Sequence, residues 1–379
     1  MSSHATESEP SVALGVGLAA SAFLLVQLGA LALVPDFSAA GLQATPDPSD
    51  PTNTVVYVAA ILVMTGLMLA AFKFGVDQLV RAVILLTSGM LSWYVFSVVL
   101  PGTAALVAAG IVPVLLWQYP EWYVIDGAGV VIGAAAAGVF GISFGLLPAL
   151  LLLIVLAVYD AISVYGTEHM LDLAAGVMDL RIPVVLVIPL SLDYSVLDDD
   201  LVAEADALDD EEGDDEEGDD ETAPDGPVPD GSGEPVTDGS DESVTDDSGE
   251  PVADDSGESV ADDGDTAPQS TDDTDETRRE VFFIGLGDAV MPTVLVASAA
   301  FFSPAASLGV PGLPSLNLPA LLGMVGTFAG LAVLLRMVLS GRAHAGLPLL
   351  NGGTIAGYLV GSLLSGVSLV TALGLGPYL

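Results

Sequence analysis

The 379-residue chain has no cysteine, a hydrophobic share of 52% and a formal net charge of −43. Without cysteine there is no disulfide framework, thiolate metal site or cysteine nucleophile, and 7 Lys and Arg against 50 Asp and Glu exclude nucleic acid as a partner, because such a surface repels phosphate. The charge is segregated, with 37 acidic and 2 basic residues from Asp193 to Glu280 and only 13 acidic and 5 basic in the other 291.

Outside that segment the chain is a series of apolar runs, each long enough to cross a hydrocarbon core of about 30 Å. Met1 to Pro10 carries acids and no basic group, so the first run predicts a retained span and not a cleaved signal peptide. In chain order the predicted helices cover residues 12–34, 54–72, 80–100, 103–119, 127–146, 147–169, 281–303, 317–339 and 349–373. They are separated by Pro35 and the Pro/Asp/Ser-rich stretch to Pro51, the Lys73 to Arg81 turn, Pro101-Gly102, the aromatic segment Trp117 to Asp126, and Pro148 at the start of the sixth. The expected fold class is all-α, a polytopic membrane protein of nine transmembrane helices. Six lie in residues 1–192 and three in 281–379, on either side of the acidic stretch 193–280.

Orientation follows from the basic residues. With the N-terminus in the cytoplasm, Lys73 and Arg81 share one cytoplasmic loop, Arg181, Arg278 and Arg279 a second, and Arg336 and Arg342 flank a third. The reverse orientation places all seven outside, against the positive-inside rule. The reading is an N-in, C-out protein of the cell membrane with its acidic loop in the cytoplasm. That loop writes an octad four times, as Gly233 to Ser240 and then 241–248, 249–256 and 257–264. One valine in eight residues buries no core, so charge and composition predict disorder; an acidic docking tail is the functional alternative. The acid excess also suits a salt-rich cytoplasm, where repulsion is screened within ~3 Å at 1 M, and hence a halophilic source.

An ionisable group at the centre of a membrane helix costs about 2.5 to 3.5 kcal/mol and persists where it faces the bundle interior, a partner or water. Asp160 in the sixth span and Asp288 in the seventh fit that description. Asp160 lies nine residues before His169 and Asp288 nine after Arg279, which puts each about 13 Å from the cytoplasmic side at about 1.5 Å per residue. Antiparallel helices then present them at one level. Two carboxylates sharing a site cannot both ionise cheaply, so one is expected to hold a proton while the other is anionic. Such a pair can activate a water and protonate a carbonyl, hydrolysing an amide without metal, cofactor or covalent intermediate. Gly285 and Gly287 beside Asp288 either permit close backbone approach or merely pack helices.

These residues resemble those of the presenilin and signal peptide peptidase family of intramembrane aspartyl proteases, in its archaeal branch. Tyr159-Asp160 matches the family's YD motif in helix six and Gly285-Leu286-Gly287-Asp288 its GxGD motif in helix seven. The nine-helix N-in topology, with a long cytoplasmic segment between those helices, is similar too, so the resemblance covers essentially the whole apolar body. The family's Pro-Ala-Leu motif, which shapes the active site and binds substrate at the start of helix nine, aligns with Ala345-Gly346-Leu347, followed by Pro348. The leucine is kept, and the proline and alanine are replaced. Pro348 either breaks the helix and frees backbone for a substrate strand or simply starts it.

The resemblance implies an aspartic endopeptidase with Asp160 and Asp288 catalytic and Tyr159, Gly285, Leu286, Gly287, Ala345, Gly346, Leu347 and Pro348 shaping the site. It implies a transmembrane protein substrate arriving from the lipid bilayer, and no metal, cofactor or obligate protein subunit. A helical amide must be unwound before water attacks it, and pairing with enzyme backbone would replace the lost bonds. Residues 182–194 and 280–284 are the candidates for that edge, Pro183 and Pro189 confining any strand there to an edge.

Other constellations compete less well. Gly141-Ile142-Ser143-Phe144-Gly145 reads as GxSxG, but lies at the predicted outer end of helix five, while His169 and His344 belong to the cytoplasmic side. Three histidines without HExxH leave no zinc protease, and His4 sits in the polar N-terminus. Glu168, Asp172 and Asp179 beside His169 either gate the pair or form a solvated helix cap. Gly133, Ala137 and Gly141, like Gly353, Gly357 and Gly361, recur every four residues as packing faces. The rival function is a proton- or ion-coupled transporter using Asp160 and Asp288 as its ion site, although internal hydropathy symmetry is missing. A non-catalytic membrane protein on the same scaffold would need neither aspartate.

Overall fold

The computed structural model describes residues 9–166, 185–192, 194–197, 281–339 and 345–379. The chain divides into two units, Met1–Glu211 with Arg279–Leu379, and Glu212–Arg278, and every described residue belongs to the first. His4, Glu168, His169, Asp172, Asp179, Arg181, Pro183, the octads, Arg278, Arg279, Arg342 and His344 lie outside the described residues.

Helices α1 (Glu9–Ala39), α2 (Thr52–Lys73), α3 (Asp77–Val99), α4 (Gly102–Gln118), α5 (Trp122–Ser143) and α6 (Leu146–Gly166) precede a strand β1 (Val185–Pro189). Strand β2 (Val281–Gly285) leads into α7 (Leu286–Phe302), then α8 (Leu318–Val338), α9 (Gly346–Leu364), the short α10 (Leu369–Ala372) and a terminal 3₁₀ turn, Gly376–Tyr378. Seven of the described helices are long and apolar enough to cross a membrane; α4 and α7 are apolar but shorter, at 17 residues each.

The predicted helix 281–303 begins as strand for its first five residues, so the helix is shorter than read, while the two candidate edge stretches, 182–194 and 280–284, hold β1 and, apart from Gly285, β2. Val281-Phe282-Phe283-Ile284 is β-branched and aromatic and finds an antiparallel partner in β1, with Val187 opposite Phe283. An apolar run of that length does not distinguish strand from helix by itself. The ninth predicted helix also moves: α9 begins at Gly346 and stops at Leu364, because Gly366 takes φ +76, a left-handed conformation that ends helices. Pro35 does not end α1, which runs on to Ala39. Helix α5 starts at Trp122 and not at 127, so Asp126 is a helical residue and no part of a separator.

Small residues bring the central helices close. A Cβ built on Gly29 of α1 would stand 2.8 Å from Ala134 Cβ of α5, and one on Gly133 would meet Val26, Leu286 and Val290 at 3.2 to 3.3 Å. Gly141 abuts Ala297 of α7, and Ala137 is fully buried, so this face packs as read. The α8–α9 seam is tighter still. Gly326 and Gly330 on α8 and Gly353, Gly357 and Gly361 on α9 each face a backbone carbonyl of the other helix, where any side chain would collide. Thr327 and Thr354 hydroxyls bond across it at 2.7 Å. At the periphery α2 leaves Val56, Val63, Met64 and Leu67 more than half exposed, a lipid-facing surface.

Candidate active site

Helix α6 carries Asp160 in its last two turns, at the border between a buried face (Leu152, Leu153, Leu156) and an exposed one (Val158, Tyr159, Ile162). Asp160 is half-buried and Tyr159 is 43% exposed. The Asp160 Oδ2 accepts the backbone N–H of Leu347 at 3.1 Å. That N–H is one of the orphan donors at the start of α9, whose N-cap, Ala345, is buried and supplies no side-chain cap. Asp160 therefore caps α9 from another helix. Pro348, the third residue of α9, lacks an N–H that would have had no intrahelical partner there. It starts the helix and does not break it.

Asp288 occupies the first turn of α7, where the helix N-terminus favours an acidic group. This corrects the depth count from Arg279, because residues 281–285 are extended. A Cβ built on Gly346 would stand 3.1 Å from Asp288 Oδ2 and 3.4 Å from its Cγ. The two carboxylates thus meet at one dipeptide, Gly346-Leu347, Asp160 through the Leu347 N–H and Asp288 through the space that Gly346 leaves. Gly285 and Gly287 are exposed; a Cβ on Gly287 would have nothing within 4 Å, and one on Gly285 would meet only the Asp288 carboxyl group, its Oδ2 at 3.6 Å. Leu286 is buried, its Cδ1 3.2 Å from the position of a Gly133 Cβ, which fixes the first residue of α7 on α5.

Three polar residues that sequence reasoning passed over support this arrangement. Asn351, one turn along α9 from Leu347 and fully buried, donates Nδ2–H to the Leu153 carbonyl of α6 at 3.0 Å. Asp126 of α5 accepts the Val187 N–H of β1 at 2.7 Å. Buried Glu121 accepts from the Ser195 hydroxyl at 2.8 Å and the Val196 N–H at 3.2 Å. The signal for all three was a polar side chain beside or within an apolar run with no evident surface role.

The Asp126 bond also orients the sheet. Residues along an antiparallel strand alternate in the side to which N–H and C=O point, so an outward Val187 leaves Leu186 and Ile188 to pair with Ile284 and Phe282. Val281, Phe283 and Gly285 then face away from β1, along an edge that ends three residues before Asp288.

Ser143 of the GxSxG stretch is fully buried; its hydroxyl donates to the Val139 carbonyl at 2.6 Å and accepts the Ala44 N–H at 2.8 Å. Both capacities are spent on structure.

The family described as signal-peptide peptidase, presenilin aspartyl protease matches residues 20–215 and 257–367. Solved structures of a presenilin family intramembrane aspartate protease are also similar. In a C222 crystal form the identity is 28% and the TM-score 0.53, covering 92% of this chain and 99% of that one. A P2 form gives 29% and 0.52, covering 92% and 97%. No curated protein matches the chain.

Proposed function

We propose, given that this chain belongs to the signal-peptide peptidase and presenilin aspartyl protease family and is an intramembrane aspartic endopeptidase, that Asp160 and Asp288 are its catalytic pair. The supporting observation is their convergence on Gly346-Leu347 from two different helices. One carboxyl group takes a proton from water as the water oxygen attacks the scissile carbon; the other donates a proton to the carbonyl oxygen. Collapse of the tetrahedral intermediate breaks the C–N bond, with a proton passing to the leaving amine. A partly buried acid pair would also suit ion coupling, but family membership does not favour a transporter.

The substrate in this reading is a transmembrane segment of another protein, delivered through the bilayer and extended at the site. Its strand adds to the outward edge of β2, where Val281, Phe283 and Gly285 offer N–H and C=O groups leading to Asp288. Open backbone at Gly285 and Gly287 gives room for it. Ala345, Gly346 and Leu347 form the opposite wall, and exposed Tyr159 faces the lipid or the arriving substrate. The seven long helices, with the shorter α4 and α7, serve as nine spans, N-in and C-out in the cell membrane, with residues 193–280 as a cytoplasmic acidic loop.

The test is cleavage of a reporter transmembrane substrate by detergent-purified protein in high salt, comparing wild type with Asp160→Ala and Asp288→Ala. Wild type should cut and both variants should be silent. Cleavage that persists in either variant overturns the pair.

A further inference from the structure

Asp126 is a carboxylate that the hydrolytic step does not use. It stands five residues after Glu121, the N-cap of α5, and faces the edge of β1 that β2 leaves uncovered. Together the two acids grip the chain on either side of Leu190: Asp126 at Val187, and Glu121 at Ser195 and Val196. Between them Leu186 Cδ2 lies 3.1 Å from the position of a Gly129 Cβ, so β1 rests directly on α5. Helix α5 therefore sets the height of β1, and the ladder of β1 with β2 passes that height to Gly285, three residues before Asp288.

The same bond closes an edge. From Val187 onward the edge offers no free donor: the outward N–H of Val187 is taken by the Asp126 carboxylate, and Pro189, the next residue pointing that way, has no N–H, which leaves only Val185 at the start of the strand. An acidic group aimed at a strand edge is a recognised means of refusing another strand. An incoming peptide is left with β2, whose outward residues are in line with Asp288.

We propose that Asp126 is a positioning residue for proteolysis: by holding Val187 it fixes the β1–β2 pair against α5, reserves the β2 edge for substrate and so determines which peptide bond reaches the aspartates. The proposal rests on the assignment of Asp160 and Asp288 as the catalytic pair. A strand displaced by one residue presents its other face, so loss of the anchor should appear in the cut position and not only in the rate.

The experiment uses the full chain in detergent with a reporter transmembrane substrate, reading product termini by mass spectrometry and kcat and KM by peptide release. Asp126→Asn keeps an acceptor oxygen and should cut at the wild-type bond at nearly the wild-type rate. Asp126→Ala and Val187→Pro remove the same hydrogen bond from opposite sides. Each should spread the cut over neighbouring bonds and lower kcat by about tenfold, with KM changed less. If Asp126→Ala does not fold, Val187→Pro carries the comparison, since proline is tolerated at an outward-facing position of an edge strand. Folded Asp126→Ala and Val187→Pro variants that cut only at the wild-type bond, whatever their melting temperature, overturn the proposal, as does an Asp126→Asn variant that behaves like Asp126→Ala. A wild-type protein that cuts nothing, or an Asp160→Ala variant that still cuts, counts instead against the catalytic assignment.

Discussion

Asp160 caps α9 in this structure and is proposed as one of the catalytic pair, and a pair of substitutions separates the two roles. Asp160→Asn and Asp160→Ala both remove the acid, so neither should cut. They differ in what they leave for the Leu347 N–H, now accepted at 3.1 Å. Asparagine keeps an oxygen there, whereas alanine strands a partly buried donor, which costs about 1 to 3 kcal/mol. Because Asp160 is only half-buried, the lower half of that range applies, about 1.5 kcal/mol. Asparagine is the poorer helix former by about 0.6 kcal/mol, which leaves it ahead by roughly 1 kcal/mol. Comparing the variants with each other also cancels the relief of removing an acid from membrane depth, which both enjoy. For a body of this size that difference should separate the melting temperatures by about 2 to 4 °C. The assay is thermal unfolding in detergent, followed by tryptophan fluorescence, beside substrate cleavage. An Ala variant that melts at or above the Asn variant refutes the capping of α9 by Asp160; cleavage by either refutes its catalytic role.

Two further outcomes are expected. At Gly346 a methyl group would sit 3.1 Å from Asp288 Oδ2, a few tenths of an ångström too close, so Gly346→Ala should keep most of its activity after a small rotation of the carboxylate. Gly346→Leu should displace Asp288 by about 1 Å and lower kcat/KM about a hundredfold; a fully active Leu variant would show that Gly346 does not border the site. Ser143→Ala should cut at the wild-type rate while losing about 1 to 2 kcal/mol of stability, since the Ala44 N–H loses its partner. Activity lost in that variant without loss of folded protein would reopen the serine reading.

The helices were legible in the sequence because each apolar run near 20 residues has few other uses, and the two aspartates because acids at that depth are costly. What the sequence did not decide was local geometry that hydropathy does not encode. Val281 to Ile284 is as apolar as the helix it precedes and stood both within a predicted helix and as a candidate strand edge, and its partner some 95 residues earlier, itself in the other candidate stretch, decides for strand, as the pairing of Val187 with Phe283 shows. Asp126 escaped because the boundary of its helix was placed at 127, leaving the acid among interfacial aromatics; its role depends on β1, which lies far along the chain. The tight α8–α9 seam was half visible, since Gly353, Gly357 and Gly361 announce themselves by spacing, whereas Gly326 and Gly330 across from them required the fold.

The replacement of one helical turn by strand β2 also bears on how a hydrolase in lipid obtains its second substrate. Helix α7, with 17 residues, is about 26 Å long, short of a hydrocarbon core of about 30 Å. The remaining thickness falls to β2, and backbone that is neither helical nor paired is tolerated at that depth only where protein covers it or a wet cavity receives it. Among the described residues no strand pairs with the outward side of β2. On the proposed reading the N–H and C=O groups at the Gly285 end of this edge, where the chain is exposed, need hydration until a substrate covers them, which would bring water to within three residues of Asp288. In that proposal a peptide pairing with this edge would shed the water as it docks, so the groups proposed to hold the substrate would also meter the water proposed to cut it.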